Sequence, residues 1–281
     1  MLFSGIFALA LVAGLIVTAA TGSFLSLQWL WVLPVSFVGV ALGLWLGLFL
    51  LLVVLAWCVD PKKPQQEDST FYRRLITAVA IAAKPVLRVE LHTDGLETML
   101  KKGRFLLVCN HLSVMDPVIL IGSFANSQLA FITKRENERL FLVGKLMHKI
   151  LCQSINREND REALKTIINC INIIKEDKAS IAVFPEGYTS LDGKLHPFRN
   201  GVFKIAQKAQ VPIVVCTLQN TQQVFRNAAR LKKTHVHLHL VGILYPEAQK
   251  GLTAVDIGNL VHHMMAQDLG PENVLQSGEE S

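Results

Sequence analysis

His111 and Asp116 are the residues whose types and spacing best suit acid–base chemistry. They stand in the stretch Asn110-His-Leu-Ser-Val-Met-Asp-Pro117. An imidazole held by a carboxylate has a fixed tautomer and a stabilised protonated form. A general base that takes a proton from a hydroxyl needs both properties. A loop histidine beside an ordinary helix cap would show the same spacing, because Asp is a favoured N-cap and Pro is favoured at the first helical position. The weight between the two readings depends on what surrounds the pair.

Arg104 to Cys109, before His111, is a short apolar run and reads as a buried strand. A helix is expected from Pro117, so His111 leaves a strand end and Asp116 sits at the mouth of a helix, close enough for a turn to fold one onto the other. The pattern then recurs. Gln128–Thr133 leads into Lys134-Arg135-Glu136. Ala179–Phe184 leads into Pro185-Glu186-Gly187-Tyr188-Thr189-Ser190. Val211–Leu218 leads into Gln219-Asn220-Thr221. Helical patterns lie between these runs, at Arg161–Lys175 and Asn200–Gln210. A strand over Val86–His92 and a helix over Phe71–Ala83, with Arg73 and Arg74 on its polar side, precede them. Ala254–Asp268 is a last helix, capped by Thr253. Alternating strands and helices predict an α/β fold, a mostly parallel sheet flanked by helices. Ligands of such sheets bind beyond the carboxyl ends of the strands, where His111, Asp116, Lys134 and Glu186 all fall.

The 281 residues are 51% hydrophobic, with mean hydropathy +0.37. Residues 1–59 contain no Lys, Arg, Asp or Glu. Leu2–Ala20 and Trp29–Val59 are each near or above the ~20 apolar residues that a bilayer span needs, and Pro34 is expected to break the start of the second. This predicts an N-terminal transmembrane helical hairpin turning at Thr21-Gly-Ser23, with Trp29, Trp31 and Trp57 as interfacial anchors. The first segment lacks the basic start of a signal peptide. Lys62, Lys63, Arg73 and Arg74 follow the second span and place the remainder in the cytoplasm, at the cell membrane. The expected division is a membrane anchor over 1–59, a linker over 60–69, a catalytic domain over 70–268 and a disordered tail over 269–281.

All the charge, net +6, lies after residue 59, which suits a face beside anionic membrane phospholipids. No nucleic-acid motif or basic–aromatic interleaving is present, so a nucleic-acid partner is not expected. The five scattered Cys, without a C-x-x-C, suit reduced, buried thiols. His235, His237 and His239 share one strand face, but no carboxylate or Cys accompanies them in the sequence, so no metal is expected.

The stretch Asn110–Pro117 resembles the N-H-x-S-x-x-D-P block of the glycerolipid acyltransferases, and the chain is most similar to the bacterial 1-acyl-glycerol-3-phosphate acyltransferases of the PlsC type. Three further blocks follow in that family's order: Lys134–Glu136 running on to Ile155-Asn156-Arg157, Phe184-Pro-Glu-Gly187 continued by Phe198-Arg-Asn-Gly201, and Val211-Pro-Ile-Val214. The resemblance covers roughly residues 70–245. It implies a glycerolipid acyltransferase-like fold and transfer of an acyl chain from an acyl carrier protein or coenzyme A thioester to lysophosphatidate, giving phosphatidate. It needs no cofactor beyond that thioester. His111 would be the base and Asp116 its orienting partner. Arg157 is the first choice for the phosphate, because its planar fork suits phosphate oxygens. Lys134, Arg135 and Arg199 would support it. Asn110, Glu186, Gly187 and Thr189 complete the implied substrate site, with Glu186 on an acceptor hydroxyl or organising the cations, and Gly187 allowing close approach of backbone. The family's third block commonly runs Thr-Arg after its glycine, where this chain has Tyr188-Thr189. Either Arg157 and its neighbours carry the phosphate, or the acceptor differs. Other lysophospholipid or glycerol-phosphate acyltransferases, a thioester hydrolase and a non-catalytic lipid-binding membrane protein are the alternatives. The absence of a G-x-S-x-G elbow argues against a serine hydrolase.

Overall fold

The computed structural model describes residues 2–61, 63–156 and 159–275. The chain forms two compact units, Met1–Lys62 and Lys63–Ser281.

In the first unit, α1 (Leu2–Ala20) and α2 (Trp29–Trp57) are joined by a short 3₁₀ turn at Ser23–Leu25. They pack side by side. Gly14 admits the backbone of Phe37 and the side chains of Leu33 and Ser36, and the Phe7 and Phe37 rings stack at 6.1 Å. Among the described residues α2 is the one helix long and apolar enough to cross a membrane, and α1 is a shorter apolar helix. Pro34 lies inside α2 instead of breaking it. A proline this near a helix start removes a single ladder bond, which the long apolar run behind it outweighs.

The second unit is an α/β layer structure. Its elements are α3 (Thr70–Val86), β1 (Val89–Asp94), β2 (Leu106–Cys109), α4 (Asp116–Ser123), β3 (Leu129–Lys134), α5 (Phe141–Lys149), β4 (Gln153–Ile155), α6 (Asp160–Lys175), β5 (Ser180–Val183), α7 (Lys204–Ala209), β6 (Ile213–Gln219), α8 (Val224–Ala229), β7 (Thr234–Leu244) and α9 (Ala254–Leu269). Among the described residues seven strands lie in the order β1-β7-β6-β2-β5-β3-β4. The five from β6 to β4 are mutually parallel; β7 runs antiparallel to β6, and β1 pairs parallel to β7 at the edge. Strand β2 is central, and alternate residues feed opposite cores. Leu106 and Val108 pack with Ile167, Ile174, Phe203 and Val261 under α6, α7 and α9. Phe105, Leu107 and Cys109 pack with Ile119, Leu120, Val236 and Leu238 under α4. Both faces are buried, which is why these strands read as continuous apolar runs.

Several boundaries differ from the sequence reading. Residues Val86 to Arg88 close α3, so β1 starts at Val89. Asn200–Phe203 forms a 3₁₀ turn before α7. The short β4, α5 and α8 carry too few apolar repeats to stand out. Arg73 does not lie on a polar face. It is buried, ion-paired with Asp68 at 2.9 Å, and donates to the carbonyls of Leu129 and Ile150. Its five donors let one side chain tie α3 to two other segments. Gly270 to Leu275 is not a loose tail, since Leu195 donates to Asn273 O and accepts from Leu275 N. Residues 276–281 lie outside the described residues.

Candidate active site

The site is built where β2 and β5 end. Strand pairing between β2 and β6 stops at Cys109–Cys216. Asn110 continues it with its side chain: Nδ2 donates to Leu218 O at 2.9 Å and Oδ1 accepts from Leu218 N at 2.7 Å. Both polar groups of Asn110 are thus engaged with backbone, and their role is to fix the exit angle of His111.

His111 is held on four sides. Its backbone N–H donates to Glu186 Oε1 at 2.8 Å, and its carbonyl accepts from Ser190 N at 2.7 Å. Its ring stacks on Phe184 with centroids 4.1 Å apart and 15° between planes. Nδ1 lies 2.8 Å from Asp116 Oδ2. Asp116 opens α4 without capping it, because its carboxylate turns back. Oδ2 also accepts from Leu112 N at 2.7 Å and Ser113 N at 2.8 Å. Only an acceptor fits among those donors, so Nδ1 carries the imidazole proton and Nε2 presents its lone pair on the other side of the ring. Thr189 Oγ1 lies 3.1 Å from Nε2 and donates to it. The His111 side chain keeps 17% exposure while Asp116 is fully buried. The base is therefore reachable and its partner is shielded from water, which strengthens the charge coupling between them.

Glu186 is a buried connector. Oε1 takes His111 N; Oε2 takes Ser190 Oγ at 2.5 Å and His196 N at 3.0 Å. Burial pushes its carboxyl above the usual range, and the three donors oppose that rise. Gly187 adopts φ 86°, the left-handed region that favours glycine, as the loop turns over Phe184. Beside it the Tyr188 hydroxyl lies 2.9 Å from His196 Nδ1, whose Nε2 lies 3.0 Å from Asp192. Cys109 is adjacent in sequence, but burial drives its thiol well above the ordinary range, so it is not a thiolate nucleophile.

The cations stand apart from this cluster. Lys134 pairs with Glu136 at 3.5 Å and Arg135 with Glu162 at 3.1 Å, all on the exposed rim beyond β3. Arg199 is exposed, with its backbone N–H on Pro185 O at 2.8 Å. Among the described residues no hydrogen bond joins these three side chains to His111. Arg157 lies outside the described residues. The structure thus gathers His111, Asp116, Asn110, Glu186, Gly187 and Thr189 into one bonded cluster, and leaves Lys134, Arg135 and Arg199 on its rim. Phe184, Ser190 and His196 were missed as site residues in the sequence. Ser190 closes the third block and Phe184 opens it, so block position was the available signal; nothing local marks His196.

Residues 90–219 match the family model described as Acyltransferase. Similar proteins include a probable 1-acyl-sn-glycerol-3-phosphate acyltransferase of Mycoplasma pneumoniae, 35% identical over 48% of this chain and 52% of that protein. A 1-acyl-sn-glycerol-3-phosphate acyltransferase of Borreliella burgdorferi is 28% identical over 54% and 60%. The chain thus spans between half and two thirds of the length of these relatives. The crystal structure of the 1-acyl-sn-glycerophosphate acyltransferase PlsC from Thermotoga maritima superposes with a TM-score of 0.60 at 21% identity, over 81% of this chain and 89% of that one. The chain therefore shares the fold of that structure, and the resemblance drawn from the four blocks holds.

Proposed function

We propose that the chain transfers an acyl group from an acyl carrier protein or coenzyme A thioester to the sn-2 hydroxyl of 1-acyl-glycerol-3-phosphate, forming phosphatidate for phospholipid synthesis. The observation that carries this reading is the Asp116–His111 pair with its Nε2 lone pair facing a hydroxyl, within residues that match the acyltransferase family model. Nε2 takes the acceptor's proton as its oxygen attacks the thioester carbonyl. The C–O bond forms, the C–S bond breaks, and the imidazolium returns the proton to the departing thiolate. Asp116 stabilises the imidazolium between these steps. In the resting site Thr189 Oγ1 occupies the position that the acceptor hydroxyl must take.

Arg157, Lys134, Arg135 and Arg199 are the proposed phosphate ligands, with Arg157 first. Val114, Tyr188 and Leu191 are exposed on the loops that carry His111 and Thr189, which suits an acyl chain. The first unit is the proposed anchor in the cell membrane, with the acyltransferase domain on the cytoplasmic side. The test is phosphatidate formation from lysophosphatidate and labelled acyl thioesters in membranes. His111→Ala should lower the rate by ~10²–10⁴-fold; a variant as fast as wild type would remove His111 as the base.

One observation favours a second route. Thr189, His111 and Asp116 are spaced as a nucleophile, base and orienting acid. In that route Thr189 Oγ1 accepts the acyl group first and passes it to the acceptor. Thr189→Ala separates the two: direct transfer survives it, and the covalent route does not.

A further inference from the structure

We propose that the outer face of β1 and β7 is a binding site for a divalent transition-metal ion that prefers imidazole, such as Zn²⁺, Cu²⁺ or Ni²⁺. The sequence showed three histidines on one strand with no acidic companion. The sheet supplies the companions. Strand β1 lies against β7 in a register that sets Glu90 opposite His235, His92 opposite His237 and Asp94 opposite His239. Alternation sends Leu91, Val236 and Leu238 into the core and leaves these six on the other face.

Their contacts divide the ladder in two. At one end His239 is occupied, with Nδ1 on Asp268 Oδ1 at 2.5 Å and Nε2 near Asp94 at 3.8 Å. At the other end His92 Nε2 and His235 Nδ1 face each other at 3.1 Å. Glu90 brings a carboxylate, so that one ligand atom from each of Glu90, His92 and His235 lies within 4.8 Å of the others. His237 stacks on His92 with centroids 4.9 Å apart and limits how that ring can turn. Zinc holds nitrogen and oxygen ligands at about 2.0–2.2 Å, so tetrahedral ligands stand roughly 3.3 Å apart. The histidine pair is already at that spacing. Glu90 is exposed and reaches it by a rotamer change that exchanges its 3.1 Å partner Lys233 for the ion. Two imidazoles and one carboxylate leave a fourth position for water, and that donor set suits Zn²⁺, Cu²⁺ and Ni²⁺ over Mg²⁺ or Ca²⁺.

The location gives the site a consequence. Among the described residues strand β1 is the sheet edge and pairs with β7 alone. An ion held by Glu90 and His92 from one strand and His235 from the other cross-links that edge. This site is built from residues of β1 and β7, none of them bonded to His111, and does not depend on the acyl-transfer reading.

The experiment uses the full chain in detergent, without a polyhistidine tag and stripped with chelator, titrated with ZnCl₂ by calorimetry. One ion per chain should bind, and the unfolding temperature should rise with it. His92→Ala and His235→Ala should each weaken binding by roughly ten-fold or more, as loss of even an outer-shell partner costs 10–100-fold. A His262→Ala/His263→Ala variant should bind as wild type. With CuCl₂, nitrogen hyperfine structure should report two imidazoles in wild type and one in His92→Ala or His235→Ala. His92 and His235 are exposed, so each of these two variants should melt as wild type without metal. Absence of a one-to-one site, wild-type affinity in either single variant, or equal loss in the His262→Ala/His263→Ala control would overturn the proposal.

Discussion

Asp116→Asn tests the proposed chemistry with little change of shape. The amide must place its oxygen where Oδ2 accepts from His111 Nδ1, Leu112 N and Ser113 N, since an NH₂ there would meet three donors. Its nitrogen then falls at Oδ1, which is buried and has no partner. A buried, unsatisfied donor costs about 1–3 kcal/mol, so the variant should fold with reduced stability. The catalytic loss is separate and larger. When His111 takes the proton, its positive charge is centred roughly 4 Å from the carboxylate. A pair at that distance is worth about 4 kcal/mol at an effective dielectric of 20. Losing it corresponds to ~10³-fold in rate, because each 1.36 kcal/mol is tenfold. The assay is phosphatidate formation in detergent micelles, with kcat and KM resolved for both substrates and folding checked by thermal melting. The expected result is a fall in kcat of about 10³ with KM values little changed, because Asp116 is shielded from substrate. A fall below tenfold in a folded variant would refute charge stabilisation of His111 as the source of rate.

Thr189→Ala should keep most of the activity and yield no acyl-enzyme; complete loss, with an acyl-Thr189 adduct trapped in wild type by mass spectrometry, would move the mechanism to the covalent route. Burial raises the Glu186 carboxyl above its ordinary 4.5, so the fold favours the neutral acid. That contribution is fully present below the unfolded value and is lost as pH rises through the folded one. The stability of wild type relative to Glu186→Gln should therefore decline as pH rises from about 4.5, and denaturation curves showing a pH-independent difference would count against it. Arg73→Leu strands the buried Asp68 carboxylate and two carbonyls. It should cost about 3–5 kcal/mol, or on the order of 10 °C in melting temperature; a loss under about 1 kcal/mol would show that water satisfies the pocket.

The sequence by itself determined the elements whose signal is local. Continuous apolar runs marked β2, β3, β5 and β6, because strands buried on both faces leave no polar alternation to find. The charge-free first 59 residues marked α1 and α2. The His111–Asp116 spacing and four ordered blocks pointed to the chemistry class before any fold was in view. Tertiary structure decided what depends on pairing between distant segments. Asn110 completes the edge of β6 because Leu218 stands beside it. Arg73 is buried because Asp68, Leu129 and Ile150 supply its partners, which helical spacing alone could not foresee. Glu186 faces three donors from three places in the chain, so it links loops where the sequence suggested a ligand for the acceptor. Glu90 and His92 reach the β7 histidines through a parallel register spanning more than a hundred residues of chain. The His111–Asp116 pair was legible because a five-residue turn brings its members together; the hydroxyl of Thr189 in front of Nε2 was not, because only the folded sheet sets the ends of β2 and β5 side by side.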